Sequence, residues 1–231
     1  MPVKALIIDD HALIRDALGR VLISLVPDAT VLEAGEPELA FKTLESNSDL
    51  DLILLDLSLP GMHGLTALRS LRAKYPAIAV VVVSATADRE SVKQALDSGA
   101  MGFIPKSSSN EVMKNALSLV LAGSVYVPPE LVGRGASKQP LASQAAQSQQ
   151  TPSDIGLTQR QAQILALMMQ GQSNKRICRE LNLAESTVKN QISAILKALN
   201  ATSRTQAVLA VGKLQLVLPL LDKPARATRE P

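Results

Sequence analysis

Residues 50–61 of the chain read LDLILLDLSLPG, an apolar run that ends in a single aspartate, Asp56, and a turn. One similar run precedes it, VKALIIDD at 3–10, and two follow it, AVVVVSA at 79–85 and MGFIPK at 101–106. Short runs that are apolar on both faces are typical of parallel strands with helices on both sides of the sheet. The sequence therefore predicts an α/β domain.

Helix-period segments alternate with these strands. The predicted strands are Val3–Ile8, Ala29–Leu32, Leu50–Leu55, Ala79–Val83 and Met101–Ile104. The predicted helices lie near 11–25, 36–47, 64–74, 88–98 and 109–122. Five β-α units at this spacing indicate a doubly wound, five-stranded parallel sheet over residues 1–127.

The rest of the chain has a different character. Residues 128–154 are rich in Gln, Ser and Ala and have too few apolar side chains for a core, which predicts a flexible linker. Apolar residues recur at helical spacing over 155–218, which predicts an all-α domain. We expect the charged tail, 219–231, to be disordered.

The two domains differ in charge. Residues 1–127 hold 11 lysines and arginines against 15 aspartates and glutamates, whereas residues 128–231 hold 13 against 6. A basic half joined to an acidic one favours a nucleic-acid-binding module, although a few more solvated lysines would give the same balance.

The sequence carries no targeting signal that we recognise. It has no run of 18 apolar residues and opens with a strand pattern, so we expect no transmembrane helix, no signal peptide and no membrane partner. The single cysteine, Cys178, excludes an internal disulfide and fits a reducing compartment. These features predict a cytoplasmic protein.

Five polar side chains follow the predicted strands at the point where each strand ends: Asp9, Asp10, Asp56, Ser84 and Lys106. Because parallel strands end at one edge of a sheet, these side chains are expected to meet. Carboxylates favour a hard cation such as Mg²⁺, beside which one carboxylate can attack a phosphoryl donor. One strand-end aspartate is more often a turn former, but here all the groups follow strands of successive units.

The five positions suggest separate roles. Asp56 stands alone after its strand and is the predicted phosphoacceptor, while Asp9 and Asp10 serve the metal. Lys106 is expected to neutralise a phosphate oxygen, and the Ser84 hydroxyl to donate a hydrogen bond to another. The pattern predicts a phosphorylation switch.

A phosphatase of the haloacid dehalogenase type is the competing interpretation of the same pocket. Such enzymes place a second acid two residues after the nucleophile, where it protonates the leaving group. Ser58 occupies that position here. We therefore expect no enzyme, and at most weak autodephosphorylation.

The basic half contains a helix with two contrasting faces. Four apolar residues at steps of four, three and four form one stripe: Val188, Ile192, Ile195 and Leu199. The opposite face carries short polar and cationic side chains that suit the major groove of DNA: Ser186, Asn190, Ser193 and Lys197, with Lys189 on the flank. A solvated surface helix is the commoner explanation of such a face, but the short turn before it and the basic balance favour DNA.

The motifs of the first half resemble the receiver domain of bacterial response regulators. They are LIIDD at 6–10, DLSLPG at 56–61, SA at 84–85 and GFIPK at 102–106. The resemblance covers residues 1 to about 125. It implies a flavodoxin-like fold with a 2-1-3-4-5 strand order, and transfer of a phosphoryl group from a sensor histidine kinase to Asp56.

The same resemblance implies a ligand set and a switch. The implied Mg²⁺ ligands are Asp9, Asp56 and the main-chain carbonyl of Ser58, with Asp10 close by. Ser84 and Phe103 stand where the family has its switch pair, a hydroxyl that moves to the phosphate and an aromatic ring that turns inward.

The motifs of the second half resemble the LuxR-type helix-turn-helix of the NarL/FixJ subfamily. They are LTQRQ at 157–161, NKRI at 174–177, ESTVK at 185–189 and SR at 203–204. The resemblance implies promoter DNA as a partner, with Thr187 among the DNA-contacting residues, and RNA polymerase as a further partner. It also implies a homodimer through the last helix, with an apolar edge at Ala207, Val208, Val211 and Leu214.

Three residues depart from the family pattern: Gln161, Gln191 and Ala184. They leave the operator sequence unpredicted. Two alternatives to a phosphorylation-controlled DNA-binding protein remain open, namely DNA binding without any need for phosphate and action through protein contacts alone.

Overall fold

The computed structural model describes residues 2–47, 49–61, 63–128 and 151–219. They form an α/β domain up to residue 128 and a helical domain from residue 151. The elements of the α/β domain are β1 (Lys4–Ile8), α1 (Ala12–Leu25), β2 (Thr30–Ala34), α2 (Pro37–Ser46), β3 (Leu52–Leu55), α3 (Gly64–Lys74), β4 (Ala79–Ser84), α4 (Arg89–Asp97), β5 (Gly102–Pro105) and α5 (Asn110–Leu121). The predicted alternation is confirmed, and each boundary falls within two residues of its predicted place.

The strands form one parallel sheet in the order β2-β1-β3-β4-β5, as the resemblance implied. Ile8 at the end of β1 pairs with Leu55, and Leu55 pairs with Val82. The strands therefore end level with one another. We call the edge where they end the carboxyl edge and the edge where they begin the amino edge.

The central strand β4 shows how the sheet is buried. Val80 and Val82 pack into the layer that holds Phe103, whereas Val81 and Val83 pack into the layer on the other side of the sheet. All four valines are almost fully buried. Because both faces are covered, the strand needs the continuous apolar run that the sequence shows.

The helical domain begins with a 3₁₀ turn, Pro152–Ile155, and continues with α6 (Gln159–Met169), α7 (Asn174–Leu181), α8 (Glu185–Ala198) and α9 (Arg204–Leu214). Thr158 caps α6 by accepting a hydrogen bond from the main chain of Gln161, whose side chain accepts one from the main chain of Thr158 (3.3 and 2.9 Å). The departure at Gln161 thus still completes a capping box. The predicted apolar stripe of α8 is buried in the core of this domain.

Two predicted boundaries differ from the structure. The last helix ends at Leu214, not Leu218, because Gln215 takes the left-handed conformation with φ of 49°. The 3₁₀ turn occupies the last residues of the predicted linker. The rest of that linker from 129, and the tail from 220, lie outside the described residues. No helix in the described part of the chain is long and apolar enough to cross a membrane.

The helical domain packs against the amino edge of the sheet. Hydrogen bonds across this boundary run from Asn174 to the carbonyl of Ala77 (3.1 Å), from Gln206 to that of Asp97 (3.0 Å), from Lys175 to that of Pro2 and from Arg72 to that of Thr202 (2.9 and 3.1 Å). The acceptor of each is a main-chain oxygen.

Gly123, just after α5, lies directly against the main chain of the helical domain. Its φ is +97°, and a Cβ there would lie 2.5 Å from the carbonyl oxygen of Gly171. Both the backbone conformation and the contact therefore require glycine at this position.

Candidate functional site

The carboxyl edge brings three of the predicted side chains into contact. Asp9 after β1 and Asp56 after β3 are each 1% exposed, and Lys106 after β5 reaches between them. The Lys106 Nζ lies 2.8 Å from Oδ2 of Asp9 and 2.8 Å from Oδ2 of Asp56. Residues from three strands thus converge on one point.

The charge of Lys106 depends on these two neighbours. Burial disfavours the charged form, but hydrogen bonds to Asp56 and Asp9 outweigh burial, so the pKa of Lys106 is raised above its ordinary value. The group is a cation at neutral pH. A cation therefore sits between two buried carboxylates at this edge.

The loops after β1 and β3 orient the two carboxylates. Oδ1 of Asp9 accepts a hydrogen bond from the main chain of His11 (2.9 Å), and Oδ1 of Asp56 accepts one from the main chain of Ser58 (3.1 Å). In each residue the second oxygen faces Lys106. A main-chain N–H two residues after each aspartate thus fixes Oδ1 and leaves Oδ2 to face Lys106.

Asp10 and His11 extend the pocket toward solvent. Oδ1 of Asp10 lies 2.7 Å from Nδ1 of His11. One ligand atom from each of Asp9, Asp10, His11 and Asp56 lies within 4.8 Å of the others. Three carboxylates at this spacing fit a hard divalent cation, which prefers oxygen ligands.

Ser84 and Phe103 lie in the domain interior beside this edge. Ser84, the last residue of β4, is 2% exposed, and its Oγ accepts a hydrogen bond from the main chain of Thr86 (3.3 Å). Phe103 is fully buried in the core. The ring therefore has the inward position that the resemblance associates with one state of the switch.

The predicted DNA-contacting residues of α8 divide into two groups. Ser186, Asn190 and Lys197 are exposed, whereas Thr187 and Ser193 are half-buried. Lys189, placed on the flank by the sequence, is 7% exposed. The outer face of the helix is thus only partly accessible in this arrangement.

Lys189 lies in the boundary between the domains. Its Nζ donates to the main-chain carbonyls of Asp49 and Leu50, 2.8 Å each, and is 2.9 Å from Oε1 of Glu185 and 3.6 Å from Oδ1 of Asp51. These contacts hold the first half of α8 against the amino edge. DNA contact by Lys189 remains a prediction and would require the domains to separate.

Asp51 is the charged centre of this boundary. Its Oδ2 is 2.7 Å from Nζ of Lys175. Burial opposes its ionisation, but hydrogen bonds with Glu185 and Lys175 lower the pKa of Asp51 overall. Burial and the hydrogen bond with Asp51 raise the pKa of Glu185.

Comparison with known families agrees with both halves of this geometry. Residues 5–118 match the response regulator receiver domain, and residues 156–211 match the luxR family of bacterial regulatory proteins. The chain belongs to the LuxR-type response regulators. This pair of domains implies a phosphodonor kinase and DNA as partners, and it fits phosphorylation-controlled regulation of transcription.

Relatives match nearly the whole length of this response regulator. The glycerol metabolism activator of Pseudomonas putida is 42% identical over 212 residues, covering 91% of this chain and 96% of its own. The nitrate/nitrite response regulator protein NarL of Escherichia coli K12 is 39% identical, covering 91% and 95%. A solved LuxR family DNA-binding response regulator from Silicibacter pomeroyi is 34% identical with a TM-score of 0.50, covering 55% of this chain and 98% of its own.

The predicted dimerisation residues of this response regulator do not form one surface. Ala207 and Val211 are buried in the core of their own domain. Val208 is 39% exposed and Leu214 is half-buried. Leu209, outside the predicted edge, is 60% exposed. The continuous apolar edge expected on this helix is therefore divided between its two faces.

Sequence reasoning missed the residues that join the two domains. Asp51 precedes its strand and offers no strand-end signal. Arg72 lies on α3 within an ordinary basic segment, and Lys175 lies in a family motif without an obvious role. Their partners are more than 100 residues distant, so no local pattern identifies them.

Proposed function

We propose that Asp56 accepts a phosphoryl group from a sensor histidine kinase in a Mg²⁺-dependent reaction, and that this modification controls promoter binding. The observation that carries the proposal is the Lys106 ammonium held between the buried carboxylates of Asp9 and Asp56. Such a pocket supplies a nucleophile, a ligand set for a divalent cation and a fixed positive charge at one point.

Each residue of the pocket has a separate part in this reaction. An oxygen of Asp56 attacks phosphorus as the bond to the donor's histidine nitrogen breaks. Bound Mg²⁺ would neutralise the phosphoryl oxygens, held by Asp9, Asp10, Asp56 and the main-chain carbonyl of Ser58. The Lys106 ammonium pairs with a phosphoryl oxygen.

The Ser84 hydroxyl and the Phe103 ring transmit the change. Ser84 exchanges its local hydrogen bond for one to the phosphoryl group, and Phe103 is held in the inward position that it already has in this structure. This response favours one receiver conformation over another, so the phosphoryl group biases an equilibrium that exists without it.

Domain docking is the step through which phosphorylation reaches DNA. Burial of Lys189 against the amino edge supports this step, because Lys189 flanks the polar face of α8 that carries Ser186, Asn190 and Lys197, so docking blocks one side of that face. In the separated form, Lys189 and Lys197 contact phosphates while Ser186, Thr187, Asn190 and Ser193 face the major groove.

The further partners follow from this mode of action. Two copies bind two half-sites, joined through the last helix at its exposed apolar residues Val208 and Leu209, with Leu214 at their border. RNA polymerase is the next partner on a promoter. The protein acts in the cytoplasm, and it catalyses nothing beyond weak autodephosphorylation.

The intact mass of the protein after incubation with Mg²⁺ and acetyl phosphate tests the proposal. We expect one phosphoryl adduct that depends on Mg²⁺ and is absent from Asp56→Asn. The control is Asp97→Asn, an exposed carboxylate paired with Lys93, which should keep the adduct. An adduct that persists in Asp56→Asn would overturn the assignment.

A further inference from the structure

A cavity of about 140 Å³ lies between the amino edge of the sheet and the helical domain. Met101 and Ile78 line it from the receiver domain, and Met168 and Ile192 line it from the helical domain. Most of the wall is formed by such apolar side chains. The cavity therefore exists only while the two domains are docked.

Two guanidinium groups line the cavity without a carboxylate partner in the described part of the chain. Arg72, 3% exposed, donates to the carbonyls of Pro76 (2.6 Å), Ile78 and Thr202. Arg204 donates to the carbonyls of Met168 (3.0 Å) and Gln172. Burial lowers the pKa of both groups to about 10, so both are cations at neutral pH.

The one carboxylate in the cavity wall is already engaged. Asp51 is 2.7 Å from Lys175 and 3.6 Å from Lys189, so it does not neutralise the guanidinium groups. Helix α7 also begins at the cavity and has no acidic residue in its first turn, although helix amino ends favour negative charge. The cavity thus has excess positive charge beside an apolar wall.

We propose that this cavity binds a small organic monocarboxylate, with its carboxylate at Arg72 and Arg204 and its apolar body between Met101 and Met168. A dry cavity of about 150 Å³ holds a benzene molecule, so a body of about six carbon atoms fits the volume. Buried charges without a counter-ion are costly, and a carboxylate relieves that cost. Inorganic phosphate matches the charge but leaves the apolar wall unfilled.

The ligand stabilises the docked arrangement, because its contacts come from both domains. A ligand that binds only one state stabilises that state by RT ln(1 + L/Kd), where L is the free ligand concentration, so the shift grows with that concentration. Weaker DNA binding in the presence of the ligand is a consequence that rests on the proposed role of docking. Binding itself does not, so the two ideas fail separately.

The test is a titration of the full-length protein, labelled with ¹³C at its methionine methyl groups and free of phosphodonor. We expect benzoate to shift the Met101 and Met168 signals along one saturating curve, while Met113 on α5, outside the cavity wall, stays in place. Benzamide has the same shape without the charge and should bind at least about tenfold more weakly. Inorganic phosphate should leave both cavity methionines unshifted.

Two variants locate the site. Ala77→Leu fills the cavity from the receiver side and should abolish the shifts, whereas Ala17→Leu, an exposed position on α1, should bind as the wild type does. Arg204→Gln should bind benzoate only as tightly as it binds benzamide. Its affinity for benzamide should equal that of the wild type, and this equality would show that the cavity itself is intact.

Several results would overturn the proposal. The first is the absence of a saturable shift up to about 50 mM benzoate, a concentration well above a Kd of about 1 mM. The second is equal affinity for benzoate and benzamide, and the third is phosphate binding as tight as benzoate binding. The fourth is unchanged benzoate binding in Arg204→Gln. None of these outcomes depends on a change in the affinity for DNA.

Discussion

The two edges of the sheet differ in where the partners of their carboxylates come from. At the carboxyl edge, Asp9 and Asp56 share one lysine, and Asp10 lies at the open rim of the pocket. At the amino edge, Asp51 is paired with Lys175 and Lys189 of another domain. In the proposed reaction the first edge takes up a metal ion and a phosphoryl group beside its lysine, whereas the second can lose its partners only if the domains separate.

This difference assigns the two edges separate parts: a pocket of acidic residues at one edge and a contact between domains at the other. The carboxyl edge, the proposed acceptor site, is built within one domain, and the amino edge is an interface between two domains. A switch results if the state of the first edge changes the stability of the second.

The largest effect should come from removing the cation at the carboxyl edge. Lys106→Met leaves Asp9 and Asp56 buried together without a counter-ion, so we expect the free energy of unfolding of the receiver domain to fall by about 4 kcal/mol without metal. Mg²⁺ should restore more stability than it adds to the wild type, because the ammonium no longer competes with it. Urea denaturation at several Mg²⁺ concentrations measures both effects.

Lys42→Met is the matched control, because Lys42 is exposed on α2. It should change neither stability nor the response to Mg²⁺. If Lys106→Met responded to Mg²⁺ no more than this control, the carboxyl edge would be a fixed ion pair like those of the amino edge, and the contrast between the edges would fail.

The next largest effect should come from the charged centre of the amino edge. Asp51→Asn leaves the Lys175 ammonium group in the boundary without its carboxylate and Lys189 with Glu185 alone, so docking should weaken by about 3 kcal/mol. Hydrogen exchange of the α8 amides in the unphosphorylated protein should become faster. Asp49→Asn is the control, since it keeps the main-chain carbonyl that Lys189 contacts and alters only an exposed carboxylate.

An intermediate effect should come from packing alone. A Cβ in Gly123→Ala would meet the Gly171 carbonyl, so docking should weaken by about 2 kcal/mol. Duplex DNA should then bind more tightly without any phosphodonor. Gly156→Ala carries a similar positive φ of 75° with open space around it, and it should leave DNA binding unchanged. Equal behaviour of the two variants would show that backbone strain, not the close approach, is responsible.

The smallest effect concerns pH. The pKa of Glu185 is raised above its ordinary value of 4.5 in the docked form, so docking favours the protonated carboxyl. The stability that this protonation adds to docking is fully present below pH 4.5. It is lost as pH rises through the raised pKa of the docked form. The lowered pKa of Asp51 acts in a separate window, below its ordinary 3.8, where falling pH weakens docking. Glu185→Gln should remove the first dependence and strengthen docking at neutral pH by less than about 1 kcal/mol.

Hydrogen exchange protection of α8, measured as pH rises from the ordinary glutamate value of 4.5 to neutral pH, checks this prediction. The wild type should open more as pH rises, and Glu185→Gln should not. A parallel slope in both proteins would assign the pH dependence to another group.

The sequence predicted the sheet and its carboxyl edge well, for a physical reason. Strand ends are local signals, and parallel strands bring them together whatever lies between them, so Asp9, Asp56 and Lys106 could be assembled without a structure. The buried stripe of α8 was predictable because helical periodicity is also local. The metal, the phosphoryl donor and the DNA contacts stay predictions.

The amino edge was not predictable, because its contacts depend on how two domains meet. Lys189 looked like a phosphate-binding residue, and a lysine beside a polar helix face has the same pattern in either environment. Ala207 and Val211 were expected on the same apolar edge as Val208, but the helix is apolar on more than one side, and the pattern does not indicate which side is covered.

The two sides of the domain boundary also differ in the groups that they contribute to its hydrogen bonds. Lys189, Lys175, Asn174 and Gln206 all donate from the helical domain to main-chain oxygens of the receiver. Substitution of a receiver side chain leaves a carbonyl acceptor in place. On the receiver side only a few side chains, among them Asp51 and Arg72, take part in docking directly, whereas any change to Lys189 would alter docking and the polar face of α8 together.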